Sequence, residues 1–226
     1  MSKNLKRRGT LCAILKKELF LATPLPFYLF ALLGLMTAIP SYPIIVGIGY
    51  VALAIFNSDG FRRSNRDVEF TCTLPVERKD VVTSKTIFVV VIELLTLVFG
   101  VVGALLSVFL SSPNGNVVGL DPNLTFFGVA FSCFGVFNIC YIPGYFKTGY
   151  KSGIPVLKGT IALLLVYSLV ETAVNVVPRF NVIFDSLWGD FVFARAIVLV
   201  VGVIAYIILT VVANRIAQKR FEKVSL

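Results

Sequence analysis

Six stretches of roughly 17 to 25 mostly apolar residues, parted by short segments that carry nearly all of the charge, constrain this chain more than any other feature. At 1.5 Å of rise per helical residue, such a run crosses the ~30 Å of hydrocarbon in a bilayer. The runs lie at about residues 20–39, 42–57, 86–110, 124–145, 159–177 and 191–213. The first two are short or interrupted, by Pro24, Pro26 and Pro43. Composition agrees: 57% of residues are hydrophobic and 15% charged, against about 45–50% and ~25% in soluble domains. The expected fold is an all-α integral membrane protein in one domain covering residues 1–226. Lys16, Lys17 and Glu18 precede the first apolar run and no convincing cleavage site follows, so no removable signal peptide is expected.

Orientation follows from the basic residues, which concentrate in cytoplasmic loops. Lys3, Lys6, Arg7, Arg8, Lys16 and Lys17 precede the first run, and Arg62, Arg63, Arg66, Arg78, Lys79 and Lys85 follow the second. Lys147, Lys151 and Lys158 follow the fourth; Arg215, Lys219, Arg220 and Lys223 follow the sixth. Nineteen of the 21 basic residues thus fall on one side, leaving Arg179 and Arg195 on the other. Both termini are therefore expected in the cytoplasm. The net charge of +9 is accounted for by these loops, and nucleic acid is not an expected partner. Cys133 and Cys140 lie about two turns apart on one helix, too far to bridge. With no histidine and no CxxC pair, neither a structural zinc site nor an HExxH protease is expected.

The connections on the sparsely charged side are short: residues 40–43, 111–123 and 178–190. Ser112-Pro113-Asn114-Gly115 is rich in turn formers. Residues 179–188, with Phe180, Val182, Ile183, Phe184, Leu187 and Trp188 among Asn181 and Asp185, are expected to dip into the outer interface. Near the N-terminus, Leu11, Ile14, Leu15 and Leu19 recur at helical spacing, with Lys16 and Lys17 on another face. That pattern predicts an amphipathic helix on the inner leaflet.

The one sizeable cytoplasmic loop is expected at residues 58–85. Pro75 suits a first helical turn and biases Leu74 away from helical geometry. A helix is therefore predicted to begin there, with Glu77 placed favourably in its first turn. Pro75, Val76, Val81 and Val82 add apolar surface to the charges of Glu77, Arg78, Lys79 and Asp80, a mixture suited to a protein partner. The same signals also fit an ordinary capped loop entering the third span.

Glu69 followed by Leu74, Pro75, Val76, Arg78, Lys79, Val81, Val82, Ser84 and Lys85, placed between the second and third of six spans, resembles the permease subunits of the bacterial ABC-2 export superfamily. Within it, the chain looks most like small permeases that export phenol-soluble modulins and other amphipathic antimicrobial peptides. The resemblance implies a bacterial cell-membrane permease in which Glu69 and residues 74–82 form a coupling helix gripped by a separate ATP-binding subunit. It further implies an elbow role for the N-terminal helix, a re-entrant outer segment at residues 179–188, and two permeases working with two ATPase subunits. ATP and Mg would be bound by those partners, with no cofactor in this chain.

Gly144-Tyr-Phe-Lys-Thr-Gly149-Tyr-Lys-Ser152 approaches the phosphate-loop pattern GxxxxGK[ST], but Tyr150 displaces the lysine and the segment follows an apolar span rather than a strand. A basic inner loop is the expected role. Two acids fall within spans, Glu93 and Glu171, where an ionised group costs roughly 2.5–3.5 kcal/mol. Val89, Glu93, Thr96, Gly100, Gly103 and Ser107 form one stripe, Gly128, Ser132, Gly135 and Asn138 a second, and Tyr167, Glu171 and Asn175 a third. Small and polar stripes fit either packing seams or a translocation path or dimer seam. An intramembrane hydrolase is disfavoured because no nucleophile–base pair converges. The alternative to an ATP-driven exporter is a secondary transporter or accessory subunit using Glu93 and Glu171.

Overall fold

The computed structural model describes residues 11–21, 23–39, 41–110, 116, 118–185 and 191–223. These residues form helices: α1 (Leu11–Leu21), α2 (Leu25–Ala38), α3 (Ile44–Ser64), α4 (Asp67–Thr73), α5 (Arg78–Leu110), α6 (Leu124–Lys147), α7 (Gly153–Val176), α8 (Phe180–Phe184) and α9 (Val192–Phe221). Five of them, α3, α5, α6, α7 and α9, are long and apolar enough to cross a membrane, and α1 with α2 makes a sixth candidate bent by 82°. Helices satisfy their own backbone groups, as hydrocarbon requires. The molecule is an all-α, multi-pass integral membrane protein.

The bend between α1 and α2 precedes Pro24 and Pro26, which remove two backbone donors. From Phe30 to Ala38 the chain is a 3₁₀ helix. At ~2.0 Å of rise per 3₁₀ residue, α2 reaches about 25 Å despite its few residues. It lies against α5, where Gly34 is so close that a Cβ would fall 2.2 Å from the Thr96 carbonyl oxygen. Thr37 Oγ1 donates to the Gly100 carbonyl at 2.7 Å.

α6 is the central helix. It packs chiefly on α9 and α7 and buries Phe126, Phe134, Phe137, Tyr141 and Phe146. Its first turn is capped by Asn123, whose side chain accepts from the Phe126 amide at 3.1 Å. Gly128 and Gly202 let α6 and α9 touch at backbone distance, since a Cβ on Gly202 would lie 2.0 Å from the Gly128 oxygen. In contrast, α7 and α9 expose Leu165, Leu169, Val200, Val201 and Ile204, the surface expected against lipid.

Two sequence expectations change. The long loop at 58–85 is mostly helix: α3 runs to Ser64, α4 occupies Asp67–Thr73, and α5 already begins at Arg78. Arg66, with φ +50°, breaks α3 from α4. Leu74 is extended, as its position before Pro75 dictates. However, no separate helix starts at Pro75: residues 76 and 77 are non-helical and 78–82 are the first turns of α5. The near-phosphate loop at 144–152 is the end of α6 followed by a turn, in which Gly149 and Tyr150 have φ of +61° and +67°. The turn segment 112–115 and Trp188 lie outside the described residues.

A buried charge network behind a candidate docking face

Apolar helices cannot carry isolated charges, so each charged side chain inside the bundle has to bring its own partner. α3 carries Asp59 and Arg62 one turn apart, both buried. Arg62 pairs with Glu18 of α1, and its other terminal nitrogen donates to Thr23 Oγ1 at 2.8 Å. Asp59 is held from two sides, by the Lys85 ammonium of α5 and by the Tyr141 hydroxyl of α6 at 2.6 Å. The Phe88 ring meets both cations, its centroid 4.4 Å from the Arg62 guanidinium carbon and 4.8 Å from Lys85 Nζ. Two acids thus balance two bases within the bundle.

Lys17 extends this network to α4. Its ammonium donates to Asp67 Oδ2 at 2.8 Å and to Thr71 Oγ1, and lies 3.5 Å from Glu18. On the far face of α4, Glu69, Phe70 and Thr73 are exposed, Phe70 to 59%. The surface continues through exposed Pro75, Glu77, Arg78 and Lys79.

The residues expected to meet a partner therefore divide. Glu69, Pro75, Glu77, Arg78 and Lys79 are exposed, and Leu74 and Val76 are half-buried. Asp80, Val81 and Val82 are buried, the last completely. Their inclusion in a docking surface is corrected: as the first turns of α5 they face inward. Arg78 also turns back, donating to the Phe221 carbonyl at 3.1 Å, while Lys79 pairs with Glu222 at 3.3 Å.

The residues expected on a path or dimer seam also separate. Glu93, Thr96 and Asn138 are fully enclosed within one chain. Glu93 Oε2 accepts from Asn138 Nδ2 at 3.0 Å and from the Tyr206 hydroxyl at 2.7 Å, and Asn138 Nδ2 also reaches Thr210 Oγ1 at 3.1 Å. The Gly100–Gly103 stripe meets α2 and the Gly128–Gly135 stripe meets α9, so both are packing seams inside a protomer, not surfaces between two. Tyr167 is buried and Glu171 half-buried beside Gly119, whereas Asn175 is exposed. No bond joins this group to Glu93 among the described residues.

At the end of the bundle opposite α4, α8 is tied down from both sides. Asp185 Oδ1 accepts from the Asp121 amide at 2.6 Å, Asn123 Nδ2 donates to the Phe184 carbonyl at 2.8 Å, and Arg195 Nε donates to Ile183 at 2.8 Å. Burial raises the Asp185 carboxyl to about 6; nearby Asp121 and Glu171 add to the rise. Burial likewise raises Asp121.

Sequence reasoning took Arg62 and Lys85 for loop charges and did not single out Glu18, Asp59, Tyr141 or Tyr206. One signal was available: Asp59 and Arg62, three residues apart on a helix, prolong an apolar run, which is where a buried pair would sit. No group of three potential metal ligands occurs among the described residues. A family model described as ABC-2 family transporter protein matches residues 13–218. No curated protein and no solved structure matches the chain.

Proposed function

From the premise that this chain belongs to the ABC-2 transporter family, and so is the transmembrane subunit of an ABC transporter, we propose that it exports amphipathic peptides or similar hydrophobic cargo. It works as a dimer with two copies of a separate ATP-binding subunit, which supply ATP, Mg and hydrolysis. It resides in a bacterial cell membrane with both termini inside, as the basic residues favour.

One observation carries the partner reading. Between α3 and α5, on the basic side, α4, the non-helical residues after it and the first turn of α5 present Glu69, Phe70, Pro75, Glu77 and Lys79 outward. An aromatic ring among charges of both signs suits a docking partner better than water. This makes α4, with residues 74–79, the coupling element. The peptide-cargo reading rests on the motif resemblance.

The proton-coupled alternative draws less support. Glu93 sits in a closed set of side chains, and Glu171 lies on another helix with no shared partner among the described residues.

Co-purification tests the proposal. The unmodified chain retains an ATP-binding subunit; Phe70→Asp loses it at least about tenfold, the scale expected when a buried aromatic anchor is replaced. Full retention by a correctly folded Phe70→Asp chain removes α4 from the docking face, and a chain that transports without any ATPase subunit overturns the function.

A further inference from the structure

The surface of α4 is joined to the bundle by an unusual path. Behind it stand Lys17, Glu18, Arg62, Asp59 and Lys85, contributed by α1, α3 and α5, and the path ends on Tyr141 of the central helix α6. Nowhere else among the described residues do so many ionised groups meet inside the protein. A small cleft of about 20 Å³ opens within the path, lined by Glu18, Arg62, Asp67, Thr71, Lys85 and Tyr145. That volume is enough for one water, and Arg62, which lines it, has its Nε buried without a protein partner. The joint is built from charged and hydroxyl side chains.

Such a network is directional where apolar packing is not. A hydrophobic contact slides at little cost, but separating a buried ion pair leaves an uncompensated charge. A displacement of α4 therefore pulls on α1 through Lys17, on α3 through Glu18 and Arg62, and on α5 and α6 through Asp59. Accordingly, we infer that Lys17, Glu18, Arg62, Asp59 and Lys85 are positioning residues that carry the movement of a docked ATPase subunit from α4 into the spans. This rests on the proposed function and adds to it which side chains transmit the stroke.

The test uses the chain with its ATPase subunit in lipid nanodiscs, the four cysteines replaced and spin labels placed at Phe109→Cys and Val177→Cys, the outer ends of α5 and α7. Trapping with ATP and vanadate shifts the label distance in the unmodified network. In the double variant Asp59→Asn, Lys85→Met, which removes both charges and keeps an acceptor for Tyr141, the ATPase subunit stays bound and hydrolyses ATP but the shift is lost. Lys17→Met, which removes the link from Glu18 to α4 and leaves the Glu18–Arg62 and Asp59–Lys85 pairs whole, gives the same loss and covers the case in which the double variant fails to fold. A full shift in either variant with ATPase bound overturns the network's role alone. If the unmodified chain binds no ATPase, the proposed function falls and this inference with it.

Discussion

Individual residues in this bundle are constrained by what they touch, and the contacts separate positions that look alike in sequence. Gly202 and Gly60 both lie inside continuous helices. A methyl on Gly202 meets the Gly128 carbonyl, whereas one on Gly60 meets nothing within 4 Å. Gly202→Ala should lower stability by about 1–3 kcal/mol through forced separation of α6 and α9; Gly60→Ala should raise it by roughly 0.5–1 kcal/mol. Thermal unfolding in detergent compares the two. Glu93 is likewise defined by its neighbours. Glu93→Gln keeps an oxygen for Asn138 and Tyr206 and should be tolerated, while Glu93→Leu strands both donors and should cost about 1–3 kcal/mol, measured in the same assay.

At the scale of elements, α8 shows how a five-residue helix is held. It is too short to persist alone, and its position depends on the Asp185, Asn123 and Arg195 bonds to its last turn. Because the folded Asp185 carboxyl is raised from 3.8 to about 6, the folded state holds its proton more tightly than the unfolded chain does. The contribution of this group is present in full below about pH 4 and is lost as the pH rises to about 6. Asp185→Asn still accepts from the Asp121 amide but does not titrate. The variant should flatten this part of the stability profile between pH 4 and 6, and an unchanged slope would count against it. α4 is held in a comparable way, by Lys17.

Across the whole molecule, the apolar runs and the lopsided distribution of basic residues already indicated a helical membrane protein with its charged face inward. If that orientation holds, reporters fused to either end report from the cytoplasm, and one end found outside would break it. The five long apolar helices, the broken segment before them and the polar stripes were legible because hydrocarbon imposes length and composition on any segment that crosses it. The depth of charge was not legible. Asp59, Arg62 and Lys85 read as loop residues because a sequence shows each charge without its partner, and only the packing of α1, α3, α5 and α6 brings Glu18 and Tyr141 to them. The same holds for Val81 and Val82: their apolar character was plain, but whether it faced a partner or the core depended on α5 starting at Arg78. Sequence settled which segments belong in lipid, a property of each segment's own transfer free energy. Tertiary structure decided which charges could go with them, since a buried charge is tolerable only where another helix supplies its counterpart.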